Sequence, residues 1–231
     1  MEEKKTYTKQ HTLLVATDCI VFGFDQGLLK LLVFKRRIAP LVGNWSLIGS
    51  FVNKDESVTD AAMRILVQFT GLQDIFLEEL KVYSKVDRDY GDRCISIAQY
   101  ALIRIDDYNE ELVEKHGAKW FSFDELPRLV LDHNDMVADA LEGIRIKARR
   151  RPIGLELLPE KFTIPQLQSL YEAIYQRPLD NRNFRKKLLS FGLLVKLDEK
   201  DKTTSKKGAF LYTFDYDKYK VLEESGFDFF L

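Results

Sequence analysis

The chain is poor in the features that mark secreted and membrane-bound proteins. It has only two cysteines in 231 residues. Both Cys19 and Cys94 lie in apolar, strand-like runs, which predicts buried, reduced thiols. No uncharged apolar run approaches the ~20 residues that a membrane helix needs. Residues 1–10 are charged and lack the apolar core of a signal peptide. We therefore expect a soluble, cytoplasmic protein with no membrane partner.

Residues that would mark a metal or cofactor site are also scarce. There are three histidines, and neither a Cys/His metal spacing, a P-loop nor a nucleophile elbow occurs. His11 and His116 have no recognisable partners in the sequence. His133 follows Asp132 at a predicted helix start, where capping or packing is a better explanation than catalysis. The sequence thus predicts no cofactor, no metal and no catalytic residue.

The amino-terminal part alternates between strand and helix patterns. Apolar residues with a period of two or of 3.6 define these segments, and Gly71 ends the first helix. A mixed sheet with helices against it, an α/β (α+β) fold, is the expected result. Strands are predicted at 12–24, 28–36, 78–86, 94–103 and 118–121, and helices at about 57–70 and 133–149, with a polar hairpin-like segment at 87–93.

A change of composition divides the chain near residue 152. Residues 145–151, RIKARRR, carry five basic side chains and precede Pro152 and Gly154. Basic residues also favour a helix carboxy terminus through the helix dipole, so a purely local explanation remains open. We predict one domain over residues 1–152 and a second over 153–231.

The second domain has the pattern of a winged helix-turn-helix. Thr163 and Gln166 form a capping-box pattern ahead of one helix, and Asp180 is a good N-cap for the next. Two strand-like runs, 193–197 and 209–214, flank a polar segment that would form the wing. The order is therefore helix, turn, helix, strand, wing, strand.

The second of these helices and the wing carry the candidate DNA contacts. Residues 177–207 hold ten basic and four acidic side chains, a net charge of +6 in a chain whose total is −1. Such segregation suits a DNA-reading module, although outward Lys and Arg can also be a solvated surface. Arginine and asparagine near a helix start can contact base edges, and lysines can contact phosphates. The candidate residues are Arg182, Asn183, Arg185, Lys186, Lys202, Lys206 and Lys207.

Residues 45–72, WSLIGSFVNKDESVTDAAMRILVQFTGL, resemble the metal-binding loop–helix–loop of Nudix hydrolases, G-x5-E-x7-R-E-U-x-E-E-x-G-U with U apolar. Ser50 stands where the opening glycine belongs. Ile65, Gln68 and Phe69 stand where three carboxylates belong, so Mg²⁺ would lack its oxygen ligands. The resemblance therefore implies a Nudix fold without hydrolysis. The positions that match are Glu56, Arg64, Leu66, Gly71 and Leu72.

The order of segments also resembles the Nudix-related transcriptional regulators, bacterial repressors that join a Nudix-like sensor to a winged helix. Four stretches carry this resemblance: RRIAPLVGNWSLIGSFV, SKVDRDYGDRCISIAQYAL, LDHNDMVADALEGIR and FTIPQLQSLYEAIYQRPLDNRNFRKKLLSFGLL. Some members respond to ADP-ribose, and another branch, which includes the arabinose-utilisation repressors, responds to sugars. The chain resembles the sugar branch more, which implies L-arabinose or a related sugar as the effector.

Loss of the carboxylates would leave a cavity suited to a small molecule. Gln68 could offer amide hydrogen bonds, with Ile65 or Phe69 as an apolar wall, but these side chains could equally pack beneath a loop. The charged segment 87–93 could reach a polar ligand or form a solvated hairpin tip. The candidate effector-binding residues are Arg36, Trp45, Gln68, Asp87, Arg88, Asp89 and Arg93.

Three functions follow from these patterns. The first is a ligand-responsive repressor, expected to be a homodimer that binds a palindromic double-stranded operator. The second is a Mg²⁺-dependent Nudix pyrophosphohydrolase that acts on ADP-ribose or a related nucleotide, which would need other carboxylates such as Glu56, Glu78 or Glu79. In the third, the carboxy-terminal domain binds protein, which the +6 segment disfavours.

Overall fold

The computed structural model describes residues 11–71, 75–105, 110–203, 207–227 and 229. Within these residues, one large sheet organises the amino-terminal part and a three-stranded sheet organises the carboxy-terminal part. The predicted fold class, a mixed α/β sheet with helices followed by a winged helix, is confirmed. None of the described helices is long and apolar enough to cross a membrane.

All the strands and helices predicted for the amino-terminal part are present. Three further elements were not predicted, because two to six residues are too few to show a period. They are the strands Trp45–Ser46 and Ile48–Phe51 and the helix Glu110–Lys115. In chain order the elements are β1 (Leu14–Asp25), β2 (Leu28–Lys35), β3 (Trp45–Ser46), β4 (Ile48–Phe51), α1 (Val58–Thr70), β5 (Glu78–Tyr83), β6 (Cys94–Arg104), α2 (Glu110–Lys115), β7 (Ala118–Ser122) and α3 (His133–Arg150).

Strand β1 is the centre of the large sheet. It pairs with β6 in parallel along its length and with β2 and β4 in antiparallel fashion. Strands β3 and β7 extend the sheet through β2, and β5 extends it through β6. A strand with neighbours on both sides has no edge to expose, which explains why residues 16–23 of β1 are buried.

The alternation of side chains along β1 builds two cores. Ile20 and Phe22 belong to the core that includes α3, whereas Cys19 and Val21 belong to the core that includes α1. Successive side chains of a strand point to opposite faces, so Asp18 shares the α3 face with Ile20. A carboxylate is thereby placed near the start of α3. Both cysteines are free and buried, as predicted.

Helix α1 ends at Gly71, as predicted, whereas its N-cap was not predicted. Ser57 is its N-cap and forms a capping box with Asp60, and Gly71 closes it in the left-handed conformation. Both are interactions of a few adjacent residues, so they can be recognised without knowledge of the tertiary fold.

The carboxy-terminal part contains the predicted winged helix. Thr163 and Gln166 form the expected capping box, and the Asp180 side chain caps the second helix. Its elements are a 3₁₀ turn (Leu155–Leu157), β8 (Phe162–Thr163), α4 (Ile164–Tyr175), α5 (Asn181–Ser190), β9 (Leu194–Asp201), β10 (Ala209–Phe214) and α6 (Tyr216–Glu224).

The two parts share one apolar core. Leu167, Leu170 and Ile174 of α4 lie in the same cluster as Leu29 and Leu31 of β2. The chain end joins this contact, because the Phe229 N–H donates to the Arg150 carbonyl at 3.0 Å. The winged helix is thus packed against the large sheet.

Substitution of a large side chain in this core by alanine should destabilise both parts together. Leu170 is 0% exposed, so Leu170→Ala should lower the free energy of unfolding by about 2–5 kcal/mol through lost burial and an unfilled cavity. Urea unfolding followed by circular dichroism measures this change. Leu189→Ala is the matched control, since Leu189 is a helical leucine that is 40% exposed. An equal loss in the two variants would contradict the shared core.

Candidate functional site

A cavity of about 260 Å³ opens beside β1, β4 and the start of α3. Its inner wall is made by buried polar side chains, chiefly Asp18, Arg88 and His133. Its mouth is lined by Arg36 and Arg37, which follow β2 directly. The cavity therefore combines three buried polar side chains and two rim arginines with a lining that is otherwise mostly apolar.

A buried ion pair dominates the inner wall. The Arg88 guanidinium donates two hydrogen bonds to the Asp132 carboxylate, at 2.9 and 2.8 Å, and lies 3.6 Å from Asp18. Asp132 is the N-cap residue of α3. A bidentate pair of this kind fixes both position and orientation, so the segment 84–93 is held against the start of α3.

His133 is held as a neutral ring. Its Nδ1 accepts the Leu47 N–H at 3.0 Å, and burial lowers the pKa of the imidazole below its ordinary value. The Nε2 atom faces Asp18 Oδ1 at 3.7 Å. His133 therefore packs at the helix start, as predicted, and also lines the cavity.

Aromatic side chains complete one wall near the mouth. Phe69 contacts Phe34 edge-on, with ring centroids 5.2 Å apart, and lies against His116 at 4.5 Å. All three residues line the cavity. This surface could stack against a planar or apolar part of a ligand.

The structure brings together three of the seven candidate effector residues. Arg36, Arg88 and Asp89 line the cavity. Segment 87–93 was also considered as a solvated hairpin tip. Arg88 does not fit that alternative, because it is buried and ion-paired. The four candidates that do not line the cavity are Trp45, Gln68, Asp87 and Arg93.

These four residues have other surroundings. Trp45 packs edge-on against Phe121 with centroids 5.1 Å apart. Arg93 donates to the carbonyls of Ser84, Lys85 and Cys94. Gln68 and Asp87 are exposed to solvent.

Ile65 is also placed differently from the expectation that it could form a cavity wall. It is buried in the core between α1 and the sheet.

Asp18 is one of several cavity residues that were not among the candidates predicted from the sequence. An ionisable residue within an otherwise apolar strand, TDCIVFGF, was the available indication. Burial of a charge is costly unless it is paired, so such a residue commonly serves a site.

The carboxylate that survives in the Nudix-like stretch has a structural partner. Glu56 accepts hydrogen bonds from the Arg64 guanidinium at 2.9 and 2.7 Å and from the Asn53 N–H at 2.8 Å. These hydrogen bonds, that from the Arg64 side chain first, lower the pKa of Glu56 to about 2. Leu72 of the same stretch lies outside the described residues.

The Nudix fold implies a divalent cation, and the residues at this stretch do not fit one. Positions 65, 68 and 69 offer no carboxylate, and Glu56 is engaged by Arg64. Within the described ranges, no group of three or more His, Cys, Asp or Glu side chains could hold a metal ion. Glu78 is instead paired with Lys147 and Tyr100, and Glu79 is exposed.

The candidate DNA contacts lie on the outer face of α5. Phe184 and Leu188 are buried against the domain, whereas Arg182, Asn183 and Lys186 are exposed. Arg185 on α5 and Lys202 and Lys207 in the wing region are exposed as well, and Lys206 lies outside the described residues.

A buried amide fixes the turn before α5. The two N–H groups of the Gln168 amide are shared among three acceptors, namely Glu172 Oε1 at 3.0 Å, the Leu179 carbonyl at 3.1 Å and Asn181 Oδ1. Glu172 also accepts the Leu179 N–H at 2.8 Å. This network joins α4 to the start of α5 and so orients the exposed face.

Comparison with known families assigns both parts. A model of the NUDIX domain matches residues 12–140. A model of the NrtR DNA-binding winged helix domain matches residues 154–214.

Individual relatives agree with this assignment. The chain is 29% identical over 211 residues to a protein of Acinetobacter baylyi described as "ADPR responsive transcriptional repressor NtrR", across 88% of this chain and 84% of that protein. It is 25% identical to Shewanella oneidensis NrtR, solved in complex with a 27mer DNA, with a TM-score of 0.77 over 89% of this chain and 95% of that chain. It is 32% identical over 139 residues to an ADP-ribose pyrophosphatase of Methanocaldococcus jannaschii, across 59% and 80% of the two chains.

These comparisons correct one expectation. The names of the two relatives from Acinetobacter and Methanocaldococcus refer to ADP-ribose, and none of the three names refers to a sugar utilisation system. The implied place in the arabinose-utilisation branch is not supported. The overall pattern of segments is common to both branches, so it did not discriminate between them.

The Glu56–Arg64 pair gives a test of the Nudix-like loop. Arg64→Met should raise the pKa of Glu56 from about 2 toward its ordinary value of 4.5, because the charged partner is removed. The pair stabilises the fold above pH 4.5, and this contribution is lost as the pH falls toward 2. Carbon-detected NMR titration measures the carboxyl directly.

Asp201 provides the internal control for that titration. Its pKa is lowered by hydrogen bonds from Thr203, with no contribution from Glu56 or Arg64, so it should titrate alike in both proteins. A Glu56 pKa unchanged by the substitution would show that the pair is absent in solution.

Proposed function

Since the chain belongs to the NUDIX domain family and its residues 154–214 match the NrtR winged helix, we propose that it is a ligand-responsive DNA-binding transcriptional repressor. Residues 1–152 sense the ligand and residues 153–231 bind DNA. The observation that carries the proposal is the exposed basic face of α5, held in place on a domain that packs against the same sheet that carries a ligand-sized cavity.

The DNA-binding part rests on the geometry of α5. Arg182 and Asn183 lie in its first turn and are exposed, and the helix is anchored from behind by Phe184 and Leu188. A helix of this kind can enter the major groove and place an arginine against a guanine edge. The likeness to NrtR in complex with DNA supports this use.

The proposal also specifies the effector, which we assign as ADP-ribose. The name of the Acinetobacter relative supports this choice. The cavity also suits it, because Arg36 and Arg37 at the mouth can meet a diphosphate through charge-assisted hydrogen bonds without a metal ion. The aromatic wall at Phe69 offers a stacking surface for a base.

We also propose that the protein does not hydrolyse its ligand. The carboxylates that would hold Mg²⁺ are replaced by Ile65, Gln68 and Phe69, and Glu56 is engaged by Arg64. The Nudix frame then supplies the shape of a binding site without the chemistry of cleavage.

We propose further that the repressor acts as a homodimer on a palindromic operator. A two-fold dimer presents two copies of α5 to half-sites separated by a turn of DNA. Exposed apolar side chains at the paired ends of β1 and β4 support this view, since a second copy would cover them. Leu14 and Phe51 lie on one face of the sheet and Val15 lies on the other, and each is at least 36% exposed.

Removal of Arg182 should weaken specific DNA binding. If this side chain contacts a base, Arg182→Ala should cost ~1–3 kcal/mol of binding free energy and relax sequence preference at one position. Fluorescence anisotropy with the chain's own operator, and with variants of each base pair, measures both effects. Lys220→Ala removes one exposed charge from α6 and should leave sequence preference unchanged. Equal behaviour of the two variants would refute the assignment.

ADP-ribose should release the operator without being consumed. In the same assay, saturating ADP-ribose should weaken DNA binding by a coupling free energy of ~1–3 kcal/mol. Chromatography of ADP-ribose incubated with the protein and Mg²⁺ should show no formation of AMP. Release by L-arabinose, with no effect of ADP-ribose, would overturn the effector assignment, and turnover abolished by Glu56→Gln would favour the hydrolase.

A further inference from the structure

The inner wall of the cavity carries hydrogen-bonding atoms that the protein itself leaves unused. Asp18 is 7% exposed and His133 is 2% exposed. Asp18 Oδ2 accepts a hydrogen bond from Ser96 Oγ at 2.6 Å. Within the part of the chain that the structure describes, Asp18 Oδ1 accepts none, and it faces the cavity. This oxygen can therefore accept a hydrogen bond from a molecule that enters the cavity.

A donor lies beside this acceptor. Because His133 Nδ1 accepts the Leu47 N–H, the proton of the neutral ring is on Nε2. This Nε2–H lies 3.7 Å from Asp18 Oδ1, which is too far for a direct hydrogen bond between them. A group that bridges the two atoms must donate to the carboxylate and accept from the imidazole.

The sequence keeps space for this carboxylate. A Cβ at position 49 would lie 2.2 Å from Asp18 Oδ1, a distance that no packing tolerates. Glycine at position 49 therefore lets the Asp18 side chain adopt the position in which Oδ1 faces the cavity. Any other residue would push the carboxylate away.

A hydroxyl group meets the requirement, since it donates and accepts at once. A diphosphate that links two riboses has no proton to give to a carboxylate at neutral pH, and it would be repelled by Asp18 and Asp132, which together exceed the charge of Arg88. The cations at the mouth, Arg36 and Arg37, have no such neighbouring surplus of carboxylates within the cavity lining. The hydroxyl groups of a ligand are thus directed to the inner wall of the cavity, and its anionic groups to the mouth.

We infer that Asp18 and His133 form a subsite that recognises a sugar hydroxyl, so that the terminal ribose of the ligand enters first and its diphosphate stays at the mouth. This inference rests on the proposed function, in which this cavity holds the effector. It makes Asp18 a residue that determines specificity, and it selects for ligands that end in a hydroxylated ring.

Calorimetric titration of the full chain with ADP-ribose and with ADP, which lacks the terminal ribose, tests the subsite. The wild-type protein should bind ADP-ribose at least ~10-fold more tightly than ADP, as expected for a hydrogen bond to a charged group. Asp18→Asn should lose roughly 10- to 100-fold in affinity for ADP-ribose and retain its affinity for ADP within about twofold. Asp25→Asn, on the same strand and outside the cavity lining, should match the wild type.

A second variant covers the possibility that Asp18→Asn does not fold. Gly49→Ala keeps the carboxylate but displaces it, so it should reduce the preference for ADP-ribose over ADP in the same way. Thermal unfolding of each variant identifies any that are not folded. Equal wild-type affinities for the two nucleotides, or an equal loss of both in Asp18→Asn, would overturn the subsite.

The same titrations distinguish a wrong effector assignment from a wrong subsite. If the wild-type protein binds neither nucleotide but binds L-arabinose, and Asp18→Asn abolishes that binding, the hydroxyl subsite stands and the ADP-ribose assignment falls. If none of the three compounds binds, both are wrong. If ADP-ribose binds and Asp18→Asn has no effect, only the subsite is wrong.

Discussion

A guanidinium group buried away from water must have anionic partners, and the requirement of Arg88 organises the ligand cavity. Its bidentate bond to Asp132 joins segment 84–93 to the first turn of α3, and its approach to Asp18 joins that turn to the central strand. Loss of one partner from a buried pair commonly costs about 3–5 kcal/mol, because the other charge is left without compensation. The shape of the inner wall is therefore set by electrostatic necessity as well as by packing. Since two carboxylates face one guanidinium, the same requirement leaves the wall rich in acceptors and suited to hydroxyl groups.

Helix α3 connects this wall to the DNA-binding domain. Its 18 residues span about 27 Å at 1.5 Å per residue. It begins at the cavity with His133, and near its other end the Arg145 side chain donates to the Ile174 carbonyl of α4 at 3.2 Å. Helix α4 is tied in turn to the start of α5 through Gln168. A ligand that binds one position of α3 better than another can thus bias the orientation of α5, which is the physical content of allosteric coupling.

Local rules predicted the parts of the molecule whose causes are local. The capping box at Thr163, the N-cap at Asp180 and the helix end at Gly71 were predicted because each depends on residues within a few positions. Strand and helix periods predicted the central strand and both long helices of the sensor for the same reason.

The cavity was predicted less well, because its walls come from distant segments. Arg88 was chosen as a polar loop residue, yet its partners are 44 and 70 positions away, and that pairing is what buries it. Trp45 and Gln68 were chosen from their positions in the Nudix-like frame, which does not specify which way a side chain points. Asp18 was overlooked, although a carboxylate within an apolar strand is a local feature that demands a distant partner.

The Nudix-like stretch shows which parts of a catalytic motif are structural. Glu56 and Arg64 are retained and bond to each other, and the Arg64 guanidinium also donates to the Phe51 carbonyl at 3.3 Å. This pair holds the loop after β4 against α1, a task that is needed whether or not a metal is bound. The positions that changed, 65, 68 and 69, are those whose carboxylates would have served only the cation. A carboxylate without its cation would be a charge beside an apolar core, so its replacement by Ile65 and Phe69 adds burial where it would otherwise add repulsion. The ion pair can therefore keep its structural role without the metal ligands, because the hydrogen bonds of Arg64 to Glu56 and to the Phe51 carbonyl do not involve a cation.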